Sequence, residues 1–148
     1  TLMIGDGPER RNLEDQARRL DLAGQIEFAG PRRDEALVEA LNSASILVVP
    51  SLFNEPFGIV ALDGIACGCA VIASRGGGLP EAVGSCGLTF ANGDVPALAG
   101  CIAELLENPE RRRNLLAGAG QHLASFTAAA VAARYLELFR SLIEGSRA

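Results

Sequence analysis

Two carboxylates stand out in "VPSLFNEPFGIVALDGIACG", residues 49–68. Glu55 precedes Pro56, and Asp63 follows eight positions later as the single charge in an otherwise apolar run. Pro56 suits the first position of a helix, where its missing N–H costs nothing. A helix opening there leaves the N–H groups of Phe57, Gly58 and Ile59 unpaired, and Gly58 carries no side chain to keep an anion away. Those donors, with the positive end of the helix dipole, would hold a phosphate. Asp63 would lie roughly 7 Å further along the axis at 1.5 Å per residue. Its helical neighbours Ile59, Val60 and Cys67 are apolar, so the helix is expected to be buried all round. A carboxylate in such surroundings requires a partner. The hydroxyls of a ligand, set behind its phosphates as a ribose is, would serve, with Glu55 facing the ligand's other end. A neighbouring backbone group or an arginine would serve as well, and Glu55 would then be a surface loop acid.

Other candidates are weaker. "SRGGGLPEAVG", residues 74–84, allows a backbone turn near the same place, or simply a tight passage into a helix with Pro80 at its start and Glu81 near its dipole. "IGDGPE", residues 4–9, has Gly5 and Gly7 but not the third glycine of a dinucleotide fingerprint. Arg32 and Arg75 sit at strand ends, where a phosphate contact is open to them. The triple arginine at 111–113 reads as a solvated helix face.

The elements that must position these residues alternate. Strands are predicted at 2–4, 26–30, 45–51, 70–74 and 87–90, and helical spacing joins Leu13, Ala17 and Leu20, then Leu37, Val38 and Leu41. A third helix follows Pro56. A fourth, capped by Asp94, stops before Pro109; a short one follows, and a last runs from Thr127 to about Glu144, with Val131, Tyr135, Leu138, Phe139 and Leu142 on one side. This alternation is that of an α/β, Rossmann-like, doubly wound parallel sheet, expected as one domain over residues 1–148. Ligands of such sheets collect at the carboxyl ends of the strands, where the loops after residues 4, 30, 50 and 74 lie. The chain opens directly at a strand, so the natural first strand is expected to be missing.

Composition narrows the partners. The chain has 148 residues, 49% apolar and 21% charged, with a net charge of −5. No basic face speaks for nucleic acid or a membrane surface. No run reaches the roughly 18 apolar residues of a transmembrane segment and no signal segment opens the chain, so a cytoplasmic location is expected. All 13 basic residues are arginine, which excludes a Walker-type lysine and a Schiff-base lysine. Cys67, Cys69, Cys86 and Cys101 lack metal-ligand spacing and read as small reduced residues.

Taken in order, "IGDGPER", "IEFAG", "SILVVPSLFNEPFGIVALDGIACGCAVIAS", "GGLPEAV" and "CGLTFANGD" resemble the C-terminal, donor-binding domain of retaining glycosyltransferases of family 4, which have the two-domain GT-B fold. The resemblance covers nearly the whole chain. It implies a site for a nucleotide diphosphate sugar. Two glutamates separated by seven residues form that family's signature, the first reaching donor sugar hydroxyls and the second holding the ribose. By position Glu55 is the first, the catalytic candidate, and Asp63 stands at the second, one methylene shorter. Phe57, Gly58 and Ile59 match the segment receiving the diphosphate, Pro31 and Arg32 the region lining the nucleobase, and Gly5 and Gly7 the crevice edge.

The same resemblance implies an arginine and a lysine on the diphosphate and an acceptor site in an N-terminal domain, none of which lies in these residues. The fragment alone is therefore expected not to catalyse transfer. No metal or other cofactor is expected, since no Asp-X-Asp pair is present. An isolated domain would also leave the last helix and a sheet edge open to water, from which self-association is expected. Two other functions are compatible with these features: a sugar-nucleotide epimerase or sucrose-synthase-like enzyme of the same fold, and a non-catalytic α/β binding module in which Asp63 marks drift.

Overall fold

The computed structural model describes residues 1–145. It divides into two compact units, Thr1–Ala40 and the chain from Leu41 onward. In the first, β1 (Leu2–Ile4) lies parallel to β2 (Glu27–Gly30), with α1 (Arg10–Arg19) between them in the chain. The register pairs Leu2 with Glu27 and Met3 with Phe28, then shifts so that Ile4 meets Gly30. Arg10 pins α1 to β2: its Nε donates to Glu14 at 2.9 Å and its Nη2 to the Phe28 carbonyl at 3.0 Å. Leu2, Met3 and Ile4 all stay more than a third exposed within the structure, so this strand is an open one. α2 (Asp34–Asn42) carries the chain into the second unit.

There β3 (Ile46–Val49), β4 (Ala70–Ser74) and β5 (Gly87–Phe90) form a parallel sheet in that order, with β4 central. Every residue of β4 is buried, as expected of a strand covered on both faces. Its alternation sorts two cores. Val71 and Ala73 face Ala61 and Ile65 of α3 (Ile59–Ala66) and Leu79, Ala82 and Val83 of α4 (Leu79–Val83). Ala70 and Ile72 face Leu105 of α5 (Val95–Glu107) and Leu115 of α6 (Pro109–Leu116). Burying each large aliphatic side chain here contributes about 1.5–3 kcal/mol.

Helix ends follow the capping residues. Asp94 accepts from the Ala97 N–H at 3.0 Å and Asn108 from the Arg111 N–H at 2.9 Å, opening α5 and α6. Arg112 donates to the Leu105 carbonyl at the end of α5, and Arg111 pairs with Glu104 at 3.1 Å. The arginine triplet is thus partly a staple between two helices rather than a solvated face alone. α7 (Ala119–Ala124), a turn the periodicity does not announce, precedes α8 (Ala128–Gly145). α8 begins where Thr127 Oγ1 accepts from the Ala130 N–H at 3.3 Å. Tyr135, Leu138, Phe139 and Leu142 on it are exposed. No single helix among the described residues is long and apolar enough to cross a membrane.

Candidate functional site

The carboxyl ends of β3 and β4 lead into two loops that press together main chain to main chain. Glu55 and Gly77 form a parallel bridge, and the Gly78 N–H donates to the Glu55 carbonyl at 2.8 Å. Gly77 has φ +65°, and a Cβ there would land on the Glu55 carbonyl oxygen and lie 2.9 Å from its nitrogen. A Cβ on Gly78 would lie 2.7 Å from Phe57 Cα. The glycines of "SRGGGLP" are therefore required by this contact, which fixes the path of Glu55–Phe57.

That contact also corrects where the helix begins. Pro56 belongs to the segment held by Gly77 and Gly78, and α3 starts three residues later, at Ile59, with Gly58 as its N-cap. Gly58 sits in the left-handed region (φ 94°, ψ 54°), and a Cβ there would run into the Leu79 side chain. The cap has no side chain to offer and no acid occupies the first turn, so the positive helix end is not neutralised locally. The Ala61 N–H turns back to the Gly58 carbonyl at 2.9 Å. Among the described residues, no protein acceptor meets the N–H groups of Phe57, Gly58, Ile59 or Val60. Val60 is the donor that a helix drawn from Pro56 omits.

α3 is also not buried all round. Ala61, Gly64 and Ile65 face the core, while Ile59 is 67% exposed and Asp63 half-buried. Ile59 and Asp63 share the outer side of the helix, one turn apart. Among the described residues no hydrogen bond or ion pair reaches the Asp63 carboxylate, so neither a backbone group nor an arginine neutralises it. Glu55 is half-buried and does have a partner: Ser51 Oγ donates to its Oε1 at 2.9 Å. Sequence reasoning passed over Ser51; its only signal is a hydroxyl four residues ahead in the same loop.

The remaining candidates stand apart from this cluster in what they show. Arg75 is exposed, and its N–H extends the β4–β5 ladder to the Phe90 carbonyl at 2.7 Å. In the first unit, Gly5 (φ +129°) donates to the Gly30 carbonyl at 2.9 Å and Gly7 to the Asp6 carboxylate at 2.9 Å. Pro31 and Arg32 follow β2 and are exposed. The four cysteines are free thiols; burial pushes the Cys69 thiol up, with Cys67 adding a smaller effect, and Cys69 Sγ donates to the Leu41 carbonyl at 3.2 Å. Among the described residues no cluster of histidine, cysteine and carboxylate could hold a metal.

Bare main-chain donors at a helix start, with a free carboxylate one turn on and a tethered one before it, can bind a polyol carrying phosphates. The fold is an α/β arrangement with parallel sheets, matching solved GT-B glycosyltransferases. Residues 1–121 match the family model described as glycosyl transferases group 1, and the chain belongs to that family. It is 38% identical over 141 residues to a D-inositol 3-phosphate glycosyltransferase of Corynebacterium urealyticum, covering 93% of this chain and 33% of the relative. A second of that name, from Thermobispora bispora, is 38% identical over 143 residues, 95% of this chain and 33% of the relative. Among solved structures, sucrose-phosphate synthase of Thermosynechococcus elongatus superposes with a TM-score of 0.76 at 33% identity, over 97% of this chain and 38% of the other. HepE of Anabaena, solved with UDP-glucose, gives a TM-score of 0.80 at 23% identity, over 95% and 40%, a likeness of fold. The chain spans about a third of the length of the curated relatives it matches.

Proposed function

We propose that this chain is the donor-binding half of a retaining glycosyltransferase of family 4, its C-terminal GT-B domain, and that it binds a nucleotide diphosphate sugar. The observation that carries this is the start of α3: among the described residues, four main-chain N–H groups have no protein acceptor, and Asp63 one turn behind them has no partner. A diphosphate placed on those donors gains charge-assisted hydrogen bonds and the helix dipole together. Asp63 then accepts from the ribose hydroxyls, which gives its carboxylate the partner the fold withholds. Glu55, aimed by Ser51, meets hydroxyls of the transferred sugar and is the catalytic candidate.

Pro31 and Arg32 for the nucleobase, and Gly5 and Gly7 for the crevice edge, remain in the proposal on the strength of the resemblance. So do the acceptor, supplied by an N-terminal domain, the absence of a metal requirement, a cytoplasmic site of action, and inactivity of these residues alone. The test is a thermal-shift panel of UDP, GDP and ADP with the purified chain. One of the nucleotides is expected to raise the melting temperature, by about 2.7 kcal/mol of stabilisation at a concentration 100 times its Kd. No shift with any of the three would overturn the donor site.

A further inference from the structure

The α7–α8 corner reaches the phosphate-binding segment through one ring. Phe126 lies 5.3 Å from the Phe57 ring, centroid to centroid, at an interplanar angle of 58°. It is itself held from two other sides. His122 meets it edge-on at 5.1 Å, and the Arg134 guanidinium sits over its face at 5.7 Å. Both holders are anchored to main chain. His122 Nε2 is 2.8 Å from the Ala82 carbonyl, near the C-terminal end of α4, and Arg134 Nη2 donates to the Ser125 carbonyl. The imidazole also fills the space over Gly84, where a Cβ would lie 2.7 Å from His122 Nδ1.

Phe57 has Gly78 close against its main chain, since a Cβ on Gly78 would lie 2.7 Å from Phe57 Cα. Its ring packs partly buried against the core of the second unit, and Phe126 supplies an aromatic wall for it. Main chain at residues 57–60 forms no hydrogen bond through its N–H groups among the described residues, so side-chain packing adds to the carbonyl-side bonds that hold this segment. The tilted Phe57–Phe126 pair adds an orientation-dependent contact to that packing. A cation over the second ring and an imidazole at its edge limit its rotation.

We propose that Phe126, locked by His122 and Arg134, is a positioning residue for the donor cradle at Phe57–Val60. It touches no substrate. The proposal deepens the donor-site assignment and rests on it for the ligand, while its structural part can be read without ligand. Two amides report on the cradle: Ala61, bonded to Gly58, and Gly78, bonded to Glu55. In the ligand-free chain, Phe126→Ala is expected to speed hydrogen exchange at both by roughly tenfold, the effect of losing one aromatic pair and its packing. Exchange at Val71–Ala73 in β4 should keep its original rate, and Phe126→Tyr should restore Ala61 and Gly78. Arg134→Gln, which leaves the ring in place, should speed the same two amides less.

In the bound state, Phe126→Ala should weaken whichever of UDP, GDP and ADP stabilises the wild-type chain, while leaving the matching nucleoside, which lacks the diphosphate, as it was. Should Phe126→Ala not fold, Phe126→Leu and Arg134→Gln read the same amides. Unchanged exchange at Ala61 and Gly78 in folded variants, or equal acceleration in β4, would overturn the positioning role. Failure of the wild-type chain to bind any nucleotide would instead strike the donor site, with the exchange result standing by itself.

Discussion

Ser51 Oγ donates to Glu55 Oε1 at 2.9 Å, so the carboxylate at the end of β3 is aimed from within its own loop. The donor is four residues earlier and half-buried, and the Glu55 main chain is fixed independently by the bridge to Gly77. Removing the hydroxyl therefore frees the carboxylate without moving the backbone. Ser51→Ala is expected to leave affinity for a nucleoside diphosphate unchanged and to weaken the matching nucleotide sugar by about 1 kcal/mol, roughly fivefold. Paired titrations of the two ligands check it. Equal loss for both would mean that Glu55 does not face the sugar.

The glycine loop gives a prediction about stability that contrasts two substitutions of one kind. Gly77→Ala puts a methyl on the Glu55 carbonyl at a positive φ, and neither main chain can give way. A loss of about 2–4 kcal/mol is expected. Gly100, in the exposed part of α5, has nothing within 4 Å of its added Cβ. Gly100→Ala should stabilise by about 0.5–1 kcal/mol through helix propensity and lost unfolded-state entropy. Urea unfolding of both variants separates the two effects.

These contrasts also show what the sequence could tell. Strands at 2–4, 70–74 and 87–90, the cap Asp94 and the start of the last helix near Thr127 were legible, because short β-rich apolar runs and N-cap residues act locally. The start of α3 was not. Pro56 is a good first helical residue by itself, but Glu55 before it is bridged to Gly77 and the Pro56 carbonyl is pressed against Gly78, some twenty positions away. The exposure of Ile59 and the half-burial of Asp63 were hidden for a related reason: an apolar helix reads as buried whichever face the core takes. Ser51 and Phe126 were missed because a hydroxyl and a ring gain their meaning from a partner. The partner of Phe126 lies 69 residues earlier, in a loop that local pattern does not reach.

Burial predicts an order of thiol chemistry. Cys69 is fully buried, donates to the Leu41 carbonyl, and has its thiol pushed up by desolvation, so little thiolate forms near neutrality. Its neighbour Cys67 is half-buried on the open end of α3. Iodoacetamide should label Cys67 first, and labelling of Cys69 should wait for unfolding. Peptide mass mapping with time checks the order, and early modification of Cys69 would contradict the packing described for β4.

Asp63 carries the sharpest test, because its effect on stability and its effect on binding should have opposite signs. In the free chain the carboxylate is half-buried on α3 with no partner among the described residues. Asp63→Ala removes that uncompensated group and substitutes a better helix former, so the ligand-free chain should gain about 0.5 kcal/mol or more. Bound to a ribonucleotide, the same carboxylate would accept hydrogen bonds from two hydroxyls, and losing charge-assisted bonds of about 1.5–3 kcal/mol costs at least tenfold in affinity. The 2′,3′-dideoxy analogue lacks those hydroxyls and should bind both chains alike. Asp63→Glu adds the methylene that the resemblance to family 4 glycosyltransferases implies at this position and should retain the ribonucleotide preference. A variant that is more stable and selectively weaker for ribose fits a residue kept for its ligand. A less stable variant, or equal loss with the dideoxy analogue, would return Asp63 to a structural role.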